Sequence, residues 1–150
     1  MYRYSPVAYT KRDREVERMV KINDEMRELL KKTDIWVLAT ADREGIPNAV
    51  PLGCVELMGD DRLLLVDNFM KKTVNNIAVN PHVAVSVWGE AIGYQFKGKA
   101  TIETSGKHFD AAVEMVKAKN AELIPKGVVL VSIDSIYITS PGPDAGNKVT

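Results

Sequence analysis

Three connections in this chain are too short for anything but a tight reversal. Asp42-Arg43-Glu44-Gly45, Gly59-Asp60-Asp61 and Gly89-Glu90-Ala91 each separate two runs of strand-forming residues. Parallel neighbours need a crossover of a dozen residues or more, so such reversals dictate antiparallel pairing. Residues 34–41 read as a first strand, and because Ile35, Trp36, Val37 and Leu38 are apolar without a break, both of its faces are expected to be buried. Residues 48–58 return as the second. Pro51 interrupts this strand and has no N–H to give a ladder, which suggests an edge, a bulge or backbone that faces a ligand.

Residues 62–67 and 83–88 read as the third and fourth strands. The fifth, residues 93–103, alternates: Tyr94, Phe96, Ala100 and Ile102 share one face, Gln95, Lys97, Lys99 and Thr101 the other. Residues 128–138 form the last. Apolar residues at helical spacing predict an amphipathic helix over 12–32 and another over 107–120, with a short helix between the third and fourth strands that ends near Asn80-Pro81. Residues 140–147 are a Pro/Gly loop. Six strands with mostly short links and flanking helices imply an α+β antiparallel barrel, not a doubly wound parallel sheet.

At 150 residues the chain suits one domain spanning residues 1–150. Twenty Lys and Arg balance twenty Asp and Glu, so no bulk field recruits nucleic acid or an acidic membrane. No apolar run approaches the ~20 residues that span a bilayer, and none near Met1 resembles a signal peptide, so a cytoplasmic location is expected. Cys54, the only cysteine, excludes an intramolecular disulfide and reads as a small buried hydrophobe or as a reactive thiol. His82 and His108 have no His, Cys or carboxylate at ligand spacing, so no metal site is expected. Trp36 and Trp88 suit a core or a subunit interface, or an indole beside a cofactor ring.

The stretch from Asp67 to Ile77 carries the chemistry. A strand end feeds Lys71, Lys72 and Thr73 straight into a helix start, so ammonium groups, a hydroxyl and unpaired helix N–H groups converge where a phosphate dianion could be held. The same pattern also fits two solvated lysines and an N-capping threonine. No Ser/His/Asp or Cys/His set supports nucleophilic catalysis, so any redox chemistry belongs to a cofactor.

With these motifs in order, the chain resembles the FMN-binding split-barrel flavoproteins related to pyridoxamine 5'-phosphate oxidase. The likeness runs over Leu38-Ala39-Thr40-Ala41 and Gly45-Ile46-Pro47, then Lys71-Lys72-Thr73, Asn75-Asn76-Ile77 and Asn80-Pro81, then the segment from Tyr94 to Ala100. The resemblance implies a split barrel working as a homodimer with FMN at the subunit interface. In such proteins the residues matching Lys71, Lys72 and Thr73 bind the FMN phosphate. Those matching Val66, Asp67 and Asn68 lie along the cofactor at the strand end, and those matching Val50, Pro51, Leu52 and Gly53 pass beside the isoalloxazine ring. The glutamine matching Gln95 reaches the flavin, commonly from the partner subunit, although on the residues alone an exposed strand glutamine is the commoner case.

The chain departs from the oxidases proper, which carry basic residues where Val50 and Val55 stand and end in an Arg/Trp-rich segment where this chain has a Pro/Gly loop. Oxidation of a vitamin substrate is therefore not expected. The expected function is passage of hydride or electrons through bound FMN, with donor and acceptor open. The alternatives are a deazaflavin-dependent reductase of the same fold, a non-catalytic FMN-binding or electron-carrier protein and, ranked last, a haem-binding split barrel.

Overall fold

The computed structural model describes residues 20–149. Its first helix, α1 (Asp24–Lys32), follows Asn23, whose side chain accepts the Met26 N–H at 2.9 Å. Acidic residues open the helix and Lys31 and Lys32 close it, in the sense its dipole favours. The helix expected over 12–32 is thus shorter in its described part. Residues 20–22 are not helical, and Ile22 instead donates its N–H to the Asp60 carbonyl at 3.0 Å. The portion before residue 20 lies outside the described residues.

The strands are β1 (Trp36–Ala41), β2 (Pro47–Leu52), β3 (Val55–Met58), β4 (Arg62–Asp67), β5 (His82–Trp88), β6 (Gly93–Glu103) and β7 (Gly127–Ile138). Helix α2 (Lys72–Val79) lies between β4 and β5, and α3 (Lys107–Lys119) between β6 and β7. All neighbouring strands are antiparallel, in the order β2-β1-β5-β6-β7-β4-β3.

That order corrects the strand count from six to seven. The run expected as one strand over 48–58 breaks at Gly53-Cys54, and its two halves pair at opposite edges of the sheet: Leu52 opposite Trp36 on β1, Val55 opposite Leu65 on β4. Two residues joining the outermost strands require the sheet to curl on itself, as a split barrel does. Pro51 stands on an edge strand, where its missing N–H costs least.

Inside the curl, Trp36, Leu38, Leu63, Leu65, Val85 and Phe96 pack with Met26, Leu29 and Leu30 of α1. A second cluster forms on the outer face, where Ala112 and Val116 of α3 cover Leu64, Val66, Val128 and Leu130. Burial on both faces therefore belongs to β4 and to the first half of β7, where the sequence is continuously apolar. The first strand, expected to be buried on both faces, instead alternates: Trp36, Leu38 and Thr40 are buried while Val37, Ala39 and Ala41 are half-exposed. Among the described residues no element covers its outer face as α3 covers β4 and β7. Trp36 is a core residue whose indole N–H donates to the Thr33 carbonyl at 3.0 Å.

Candidate functional site

A groove of about 520 Å³ opens where the β2–β3 link faces the segment joining β4 to α2. Val50, Pro51, Leu52 and Gly53 form one wall; Val66, Asn68, Lys71, Lys72 and Thr73 form the other. The sequence candidates are thus brought together from two segments, except Asp67 and Gln95.

The second wall is shaped by its own side chains. Asp67 turns away from the groove and accepts the Met70 N–H at 2.8 Å, which folds residues 67–70 back on themselves. Lys126 secures this bend: its ammonium lies 3.6 Å from Asp67 and donates to the Met70 carbonyl oxygen, while its N–H donates to the Asp67 carbonyl at 2.8 Å. The chain then enters α2 with Lys71 at the N-cap position, no side-chain capping bond and no acidic residue in the first turn. The early N–H groups of α2 remain available, flanked by two exposed lysines, and the helix dipole adds partial positive charge.

Thr73 is therefore not the cap that its sequence position suggested. It lies inside the first turn, 2% exposed, and its hydroxyl oxygen accepts the Asn48 side-chain N–H at 3.1 Å. The Asn68 Oδ1 is buried and has no hydrogen-bond partner among the described residues. Such an orphan acceptor in a groove wall is a place for a ligand donor.

Sequence reasoning missed Asn48, Cys54, Phe69 and Met70, which also line the groove. Asn48 was within reach, because the reversal at residues 42–45 puts it opposite Thr40. Phe69, 78% exposed at the lip, had no sequence signal. Cys54 is half-buried and packs at the margin of the cluster under α3. The first wall is braced from behind by Lys119 of α3, which donates to the Gly53 carbonyl oxygen.

Gln95 is half-buried on β6, opposite Ser86 and Tyr137, and is not part of this chain's groove. Nearby, a shallower depression is lined by Trp88, Ile92 and Pro141, and Trp88 is 54% exposed. Neither histidine lines the groove. His82 is exposed at the start of β5, and His108 pairs with Glu103 at 2.9 Å.

The family model described as pyridoxamine 5'-phosphate oxidase matches residues 22–140. The uncharacterized protein MJ0282 of Methanocaldococcus jannaschii is 36% identical over 134 residues, 87% of this chain and 89% of the relative. Among solved structures, HupZ of Group A Streptococcus superposes with a TM-score of 0.73 at 28% identity, over 83% of this chain and 99% of that one. An FMN-binding protein from Syntrophomonas wolfei has a TM-score of 0.70 at 18% identity, over 77% and 84%. The heme storage protein HutZ of Vibrio cholerae has a TM-score of 0.60 at 14% identity, over 79% and 95%; at these last two identities the likeness is one of fold.

Proposed function

Because the chain belongs to the pyridoxamine 5'-phosphate oxidase family, we propose that it is an FMN-binding flavoprotein of that split-barrel fold that passes hydride or electrons through the cofactor. The observation that carries this reading is the groove itself. Its Lys71, Lys72 and uncapped helix start face an apolar wall of Val50, Pro51 and Leu52, a pairing of anion site and ring platform in one cavity. The residues fit the group. A volume of about 520 Å³ lies within the ~300–1,000 Å³ usual for ligand sites. Asn68 Oδ1 lacks the donor that a ribityl hydroxyl or a ring N–H would supply.

In this reading Lys71, Lys72 and Thr73 hold the phosphate, and the backbone of residues 50–53, whose edge-strand part up to Leu52 pairs with β1 and whose Gly53 carbonyl is held by Lys119, orients the ring. Bound FMN supplies the hydride or electron transfer. Gln95 serves the groove of a second copy, and the exposed Trp88 and Ile92 supply apolar surface for a homodimer. Oxidation of pyridoxamine phosphate is not proposed, since Val50 and Val55 stand where the oxidases proper are basic.

Absorption spectra of the purified protein titrated with FMN test the reading, with Lys72→Ala and Thr73→Ala as comparison. Loss of one charge-assisted hydrogen bond costs about 1.5–3 kcal/mol, so each variant should bind roughly 10- to 100-fold more weakly. A folded wild type that takes up no FMN would sink the proposal. Binding of a deazaflavin, which absorbs at shorter wavelength, would keep the groove and change the cofactor. The fold shared with HutZ makes haem the second reading, but with His82 and His108 both off the groove it has no imidazole ligand from this chain there.

A further inference from the structure

Asn48 stands between two buried hydroxyls. Its Nδ2 donates to Thr40 Oγ1 on β1 at 3.3 Å and to Thr73 Oγ1 in the first turn of α2 at 3.1 Å. Asn76, one turn further along α2, donates its own Nδ2 to the same Thr40 Oγ1 at 3.0 Å. A threonine hydroxyl has one proton and two lone pairs. Thr40 therefore has both lone pairs occupied, which fixes the two amides relative to β1. Thr73 has one lone pair occupied by an N–H, so its own proton cannot point back at Asn48. Among the described residues no protein group accepts that proton, and Thr73 lines the groove.

We propose that Asn48 is a positioning residue that sets the polarity of the Thr73 hydroxyl. By offering an N–H and not an acceptor, it makes Thr73 a dedicated donor toward an anion at the start of α2. The inference rests on the phosphate-anchor reading above and adds to it a selectivity: the site prefers a phosphate-bearing flavin to the same flavin without phosphate. A residue at position 48 that could only accept would reverse the hydroxyl and present its lone pairs to the anion.

The test compares the dissociation constants of FMN and riboflavin, read from flavin fluorescence, for wild type, Asn48→Asp, Thr73→Val and the double variant, with thermal melts to show that each is folded. Asn48→Asp is expected to lose about tenfold or more in FMN affinity while riboflavin binding stays within about twofold. The carboxylate also repels phosphate through space, and the double variant isolates that part: with no hydroxyl to reverse, Asn48→Asp should cost markedly less. Equal losses with and without the Thr73 hydroxyl would overturn the role of Asn48 while leaving the anchor standing. A wild type that binds FMN no tighter than riboflavin would overturn the anchor and this inference with it. Should Asn48→Asp not fold, Asn48→Ala in the same cycle carries the test. Its FMN loss, about threefold, should vanish beside Thr73→Val, and a loss that persists there overturns the proposal.

Discussion

Replacing Gly98 by alanine should damage the fold more than any exposed substitution. Gly98 sits in the middle of β6, between Val83 of β5 and Ile133 of β7, where the register to β7 slips so that Lys97 faces Ser135 while Gly98 faces Ile133. The slip marks a bulge, and it draws the β7 backbone over the glycine. A Cβ added there would overlap the Ser132 carbonyl oxygen, lie 2.8 Å from its carbonyl carbon and 3.1 Å from Ile133 Cα. Carbon atoms in contact sit about 3.5–4.0 Å apart, so β7 must retreat by roughly 1 Å. The obstructing atoms are backbone, and no rotamer change relieves them. Overpacking costs about 1–3 kcal/mol, and stretching two ladder bonds adds about 1 kcal/mol each. The expected loss is therefore about 3–5 kcal/mol, a large share of the ~5–15 kcal/mol typical of a domain. Urea unfolding followed by circular dichroism should show the midpoint falling by about 1.5–2.5 M for an m-value near 2 kcal/mol/M. Gly89→Ala is the control, since its Cβ would meet only Leu29 Cδ1 at an ordinary 3.6 Å. A Gly98→Ala protein within about 1 kcal/mol of wild type would refute the reasoning, because the bulge would then relax freely.

Three further expectations follow from single contacts. Thr40→Val keeps the shape of a buried residue but leaves the Asn48 and Asn76 amides without their shared acceptor; it should cost about 1–3 kcal/mol in urea unfolding and speed amide hydrogen exchange in α2. Tyr94 donates to Glu25, and burial first, then the hydrogen bond and charge of Glu25, push its pKa up from 10.0 to about 12. The folded state thus holds this proton more tightly, so the contribution is fully present below pH 10 and is lost as pH rises toward about 12; Tyr94→Phe should lack that part of the alkaline decline in melting temperature. Trp88→Glu places a charge on the exposed apolar depression beside Ile92; if the proposed homodimer uses this surface, light scattering should show a dimer for the wild type and monomers for the variant, with monomer stability changed by no more than about 0.5 kcal/mol.

Elements that stand half in core and half in solvent were legible in their bounds and in most of their faces, Ile102 at the end of β6 being exposed where a core position was expected. β6 has the bounds its alternation predicts, because Phe96 and Ala100 point inward while Lys97 and Lys99 point out. Elements whose surroundings come from elsewhere were not. The apolar run from Ile35 to Leu38 looks like a strand covered twice, but a run cannot say which strand α3 will lie on, and α3 covers β4 and β7. Within the described part of the helix expected over 12–32, residues 20–23 stand outside the helix because Asn23 followed by two acidic residues is a local start signal, which the Ile22 N–H bond to the Asp60 carbonyl reinforces.

The same distinction separates the two walls of the groove. Lys71, Lys72 and Thr73 are adjacent in sequence and were readable together; Asn48 acts through Thr73, twenty-five residues away, and has meaning only once β2 is paired to β1. The other wall depends on the change of edge at Gly53-Cys54. Up to Leu52 the chain belongs to one border of the sheet and from Val55 to the other, so residues 50–53 run along a border where β2 has one ladder partner and Pro51 offers no donor. A continuous strand over 48–58 would have had both halves on one edge. The break that sequence periodicity could not register is thus what sets the end of an edge strand beside a helix start, and it is the reason the groove lies at this point in the barrel.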